Sequence, residues 1–95
     1  MTTVFLYILS NPERSGIFIG TTSDLSYAMW QHSTGIFFPH TRKYRFVHLI
    51  YLECFSSIAT ADSRRRALRF MRLEEKWKKI SSSNPGLHEL ISIGS

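Results

Sequence analysis

Apolar residues fall into blocks along this chain, and the period inside each block differs from one block to the next. Residues 4–9 are an unbroken run of β-branched, aromatic and aliphatic side chains, which predicts a strand. Residues 10–16 contain Ser, Asn, Pro and Gly and predict a turn. Residues 17–20 then predict the returning strand of a hairpin. Thr21, Thr22, Ser23 and Asp24 are candidate helix N-caps, and the Asp24 carboxylate suits the positive end of a helix. Leu25, Met29 and His32 recur at helical spacing, with Ala28 between them, so a helix is expected to about Ser33 and to stop at Thr34–Gly35. Residues 36–45 read as a mixed loop holding Pro39 and the cations Arg42, Lys43 and Arg45. Residues 46–55 are almost continuously apolar and predict a third strand, buried on both faces. After the turn at Ser56 and Ser57, one long helix is expected over residues 60–80. Asn84, Pro85 and Gly86 break it, and residues 87–91 suggest a last helical turn.

Strand, strand, helix, strand, helix, with a further short helical turn, defines an α+β domain with α/β-type layering. A small three-stranded sheet should be flanked by helices. Ninety-five residues suffice for one core, so residues 1–95 are expected to form a single domain with its core over about residues 4–90. The 43% hydrophobic share argues for a packed core rather than disorder. With one cysteine, Cys54, no internal disulfide can form, and its apolar neighbours suggest a buried structural thiol. Trp30 and Trp77 are expected as core anchors. Residues 4–9 are too short, and lack a preceding cation, for a signal peptide. No stretch has the length of a membrane-spanning helix. A cytoplasmic location with no membrane partner is the expectation.

The net charge of +5 suits a polyanionic partner only if the cations are grouped. On one continuous helix over residues 60–80, Phe70, Leu73, Trp77 and Ile80 fall together and should face the core. Arg65, Arg69, Arg72, Lys76 and Lys79 fall within an arc of roughly 80° on another side. Like charges in a row repel, whereas a solvated face usually mixes signs. The row therefore suits phosphate contacts, which Arg makes in bidentate fashion. Arg42 and Lys43 extend it if the fold brings them alongside, and Tyr44 in the same loop is a candidate base-stacking ring.

The segments around Tyr7, around Phe18, Ile19 and Gly20, and from Thr21 to Leu25 resemble the two signature strands and the next helix of the GIY-YIG nuclease superfamily. Trp30, Gln31 and His32 are similar to the end of that helix. Thr41 to Tyr44, Leu49 to Glu53, and Asn84–Pro85 resemble the small stand-alone bacterial branch. The resemblance implies cleavage of nucleic-acid phosphodiesters by two tyrosines, an arginine, a histidine in some branches, and a glutamate that holds one divalent cation. Carried over by position, Tyr7 and His32 match. Phe18 replaces the second tyrosine, Ala28 replaces the arginine, and Arg65 stands where the glutamate is expected. A cation in that place repels a divalent ion by roughly 4 kcal/mol at 4 Å and an effective dielectric near 20, and Arg cannot shed its proton.

The expectation is therefore a GIY-YIG-like domain with a degenerate active site, no metal or other cofactor, and nucleic acid (DNA or RNA) held by the cationic helix face. Two alternatives differ in class. One is an active endonuclease with a non-standard site, using Tyr7, His32 and an acid such as Glu53 or Glu74 with Mg or Mn. The other is a protein-interaction or self-associating module that uses the former cleft lined by Tyr7, Phe18, Tyr27 and Ala28.

Overall fold

In a computed structural model, residues 3–35 and 43–90 are described. The order is β1 (Val4–Ser10), β2 (Ile17–Thr22), α1 (Leu25–Thr34), β3 (His48–Phe55), α2 (Ile58–Phe70) and α3 (Leu73–Ser83). The three strands form one antiparallel sheet in the order β2-β1-β3. The α+β class and the β-β-α-β-α-α order follow the expectation.

The six-residue apolar run of β1 is central in the sheet, and its alternation serves both faces. Leu6 and Ile8 join Ile50, Tyr51, Leu68 and Ile80 in the core beneath α2 and α3. Tyr7 and Leu9 join Ala28, Met29 and Leu49 beneath α1. The sheet is thus covered on both sides, the arrangement that continuous apolar strands need. The register slips between Ile8 and Leu9, which pair with Tyr51 and Leu49. Ile50 is the extra residue of a β-bulge. The bulge turns the adjacent Ile50 and Tyr51 toward the same core, which is why three successive residues, Leu49, Ile50 and Tyr51, are all buried.

Local chemistry sets the element ends. The Asn11 side chain accepts from the backbone N–H of Ser15 (2.9 Å) and Gly16 (3.1 Å), closing the hairpin turn. Asp24 caps α1 by accepting from Tyr27 N–H at 3.0 Å, and Gly35 ends it at φ 74°, in the left-handed region that glycine adopts without strain. Ser57 caps α2 in the same way, through Thr60 N–H. On the α2 side of β3, Arg64 Nε lies 3.0 Å from a carboxylate oxygen of Glu53. That contact accommodates a half-buried acid at a strand position otherwise given to the core.

Four expectations fail here. The long helix is two helices, because Met71 and Arg72 are extended (ψ 153° and 150°). The break lets Met71 pack on the core that also holds Leu68, Trp77 and Ile80. It also rotates Phe70 and Leu73 outward, to 86% and 52% exposure, so neither faces the core. Trp77 does pack against that core, but Trp30 is 45% exposed. Trp30 lies on the side of α1 away from Ala28, Met29 and His32, and stacks on Tyr27 at 5.7 Å. Cys54 is exposed. It pairs with Phe5, beyond the stretch of sheet that α1 covers. Finally, no helix forms in residues 84–90. Asn84 instead organises a loop, donating to Ile50 O (3.1 Å) and His88 O (2.8 Å) and accepting from His88 N–H (3.2 Å). Leu90 N–H then donates to Leu49 O at 2.8 Å. No described helix is long and apolar enough to cross a membrane.

Candidate functional site

Two groups of side chains meet at Phe18 on β2. The first is buried. Tyr7 points from β1 toward α1, and His32 comes down from the last turns of α1. The Tyr7 hydroxyl and His32 Nε2 are 2.8 Å apart. His32 is fully buried and Tyr7 is 3% exposed. The Phe18 ring meets His32 edge-on at 4.7 Å and Tyr7 at 6.2 Å, closing the cluster from the β2 side. Gly20, opposite Tyr7 in the register, makes room for it. A Cβ there would fall 2.5 Å from both Cζ and the hydroxyl of Tyr7. Glycine in a strand often marks such a close approach.

Burial sets the chemistry of this pair. It lowers the His32 pKa from 6.5 to about 4 and raises that of Tyr7 from 10.0 to about 12, because both charged forms lose their hydration. At neutral pH both groups are uncharged. The pair can hold a hydrogen bond and exchange donor and acceptor roles, but neither member is poised to take a proton from water.

The second group is open. Arg65 and Arg69 from α2 and Lys76 from α3 converge on Ile17, Phe18 and Ile19 of β2, around a groove of about 430 Å3. The helix break makes this possible. Arg69 lies in the last turn of α2 and Lys76 in the first turns of α3, and the bend brings both over one strand. Arg65 is steadied by Asp62, whose Oδ1 accepts from Nη2 at 2.7 Å and from Nε at 3.1 Å. Asp62 also pairs with Arg66 at 2.9 Å. These arginines hold the Asp62 carboxyl below its usual range.

The expected five-cation stripe is therefore redistributed. Arg65, Arg69 and Lys76 share the groove, whereas Arg72 is the N-cap residue of α3 and neither it nor Lys79 lines it. Lys43 and Tyr44 are not in the groove lining either. Lys43 Nζ lies 5.5 Å over the Tyr44 ring, which stacks on Phe46 at 6.1 Å. Arg42, with His40 and Thr41, lies outside the described residues. The apolar cleft imagined from Tyr7, Phe18, Tyr27 and Ala28 is not an open surface, because Tyr7 and Ala28 are core residues and only Tyr27 is well exposed.

Four contributors, Ile17, Ile19, Gly20 and Asp62, are not marked as site residues by sequence. Ile17 and Ile19 form the groove wall, with no signal beyond strand alternation. Gly20 was named only as a strand residue. The Asp62–Arg65 contact was visible in the i,i+3 spacing on a helix.

A three-stranded antiparallel sheet with helices packed on both faces makes the chain an α+β domain. More narrowly, it belongs to the GIY-YIG family, whose catalytic-domain model matches residues 3–86. No curated protein and no solved structure gives a significant match.

Proposed function

We propose that this GIY-YIG domain binds nucleic acid without the family's metal-assisted cleavage. The observation that carries this is the convergence of Arg65, Arg69 and Lys76 on one side of β2. Like charges come together at a folding cost that a polyanion offsets.

The donor set argues against a divalent cation. At the position that corresponds to the family glutamate stands Arg65, and the acid beside it, Asp62, is already bonded to Arg65 and Arg66. Glu53 is held by Arg64. Among the described residues, no three His, Cys, Asp or Glu side chains come together. Phe18 supplies no hydroxyl and Ala28 no guanidinium, so a phosphate in transition would lack both its anchor and its clamp.

Fluorescence anisotropy with short single- and double-stranded DNA and RNA, over a range of salt, tests the binding. The logarithm of affinity should fall steeply with log salt. Arg65→Ala and Arg69→Ala should each weaken all sequences alike and lower the slope by about one. Unchanged affinity in both variants would end the proposal. Supercoiled plasmid with magnesium or manganese tests the cleavage half. Nicking by the wild type that disappears in His32→Ala would show that the retained Tyr7–His32 pair still works.

A further inference from the structure

The groove has features that tracking a phosphate backbone does not require. Its cations surround a volume rather than follow a line, since the bend at Met71 and Arg72 sets Lys76 across from Arg69. Half of its lining is apolar, contributed by Ile17, Phe18 and Ile19. Its volume, about 430 Å3, is near the lower end of small-ligand sites, roughly 300–1,000 Å3, which combine an apolar wall with a few placed polar groups. Beside that wall runs the outer edge of β2, which among the described residues pairs with β1 alone.

We propose that the groove is an end-binding pocket for a nucleotide that carries a terminal phosphomonoester. This rests on the nucleic-acid reading above and narrows it to one chemical class. The charges fit. Three cations line the groove, and one of them, Arg65, is already offset by its contact with Asp62. The surplus of two matches a terminal phosphate, about −1.5 to −2 at neutral pH, better than the single charge of a phosphodiester. Asp62 fixes the Arg65 guanidinium through Nε and Nη2, and Nη1, outside that contact, is the donor for the phosphate. Arg69 and Lys76 complete the cradle. The sugar and base then lie along Ile17 to Ile19, with the backbone N–H and C=O groups of the β2 edge available to polar atoms of the base.

The experiment compares three fluorescein-labelled single strands by anisotropy. One ends in hydroxyls, one carries a terminal phosphate at the 5′ or the 3′ end, and one is hydroxyl-ended but a nucleotide longer. The longer strand adds charge without adding an end group. A phosphorylated strand should bind about tenfold more tightly than the longer control, equivalent to 1.4 kcal/mol. Arg69→Ala, at an exposed position, should erase that preference. Displacement by a nucleoside monophosphate but not by inorganic phosphate would support the pocket and assign free nucleotide as its ligand. Displacement by neither, with the tenfold preference intact, would assign the strand end. Equal binding of all three strands would overturn the pocket while leaving the nucleic-acid reading in place. Absence of binding by any strand at low salt would overturn both.

Discussion

Mild acid should destabilise this domain through one residue, His32. Burial holds its pKa at about 4 against 6.5 for an exposed imidazole. Between those values the unfolded chain binds a proton that the folded chain refuses, so folding is penalised. The sign follows directly. The contribution of neutral His32 is fully present above pH 6.5, declines as the pH falls through the window, and levels off below about 4. At about 1.4 kcal/mol per pH unit the whole window is worth about 3 kcal/mol, of which about 2 kcal/mol is gone by pH 5. A small domain has about 5–15 kcal/mol in total, so the loss is measurable. Urea unfolding at pH 7, 6 and 5, followed by circular dichroism, reads it out. His32→Gln is the control, because its amide can still meet the Tyr7 hydroxyl and does not titrate. Asp62, whose carboxyl is held below the usual range, titrates beneath this window. The wild type should lose about 2 kcal/mol relative to His32→Gln between pH 7 and pH 5. Parallel losses in the two proteins would refute the assignment to His32.

Three further substitutions probe the packing. Gly20→Ala should cost about 1–3 kcal/mol in urea unfolding, the range for an overfilled core, since its methyl would displace the Tyr7 ring; a neutral result would mean that the ring yields freely. Phe70→Glu should change stability by less than about 0.5 kcal/mol because the ring is exposed, whereas Leu68→Ala, two residues earlier and buried, should cost about 2–5 kcal/mol. A single uninterrupted helix would demand the reverse order of the pair. Asn84→Ala should cost about 1–3 kcal/mol, because Ile50 O loses a buried partner, and thermal melting would register it.

Much of the fold could be read from the chain because local and tertiary signals agree there. The hairpin, the Asp24 and Gly35 ends of α1, and the third strand all carry their own chemistry. The helix break does not. Phe70, Met71, Arg72 and Leu73 contain neither glycine nor proline, and their propensities permit a helix straight through. The clue lies in phase. On one continuous helix Ala61 and Leu68 point about 100–180° away from Trp77 and Ile80, yet Leu68, Trp77 and Ile80 share one core. Only a reset between them reconciles the two stripes. A wheel aligned on Phe70 and Leu73 misplaces the stripe as well as the core. The β-bulge at Ile50 was hidden for a related reason, since a continuous apolar run does not say which of its residues breaks alternation. In the site, Tyr7 and His32 were found by position, but their mutual hydrogen bond depends on the descent of α1 across the sheet. Cys54 and Trp30 were misassigned because apolar surroundings in sequence do not report where a covering helix ends.

The two margins of the sheet have opposite fates. Along β3, the loop organised by Asn84 lies against the strand, and Leu90 N–H takes up Leu49 O. Along β2, no further strand pairs among the described residues, and an open strand margin is a template on which a second molecule can extend the sheet. Here that margin is lined by Arg65, Arg69 and Lys76. Two molecules meeting β2 to β2 would bring both sets of cations together, each offset only in part by Asp62. Repulsion between the two sets would oppose such pairing, and concentrated salt, by screening them, would weaken that opposition.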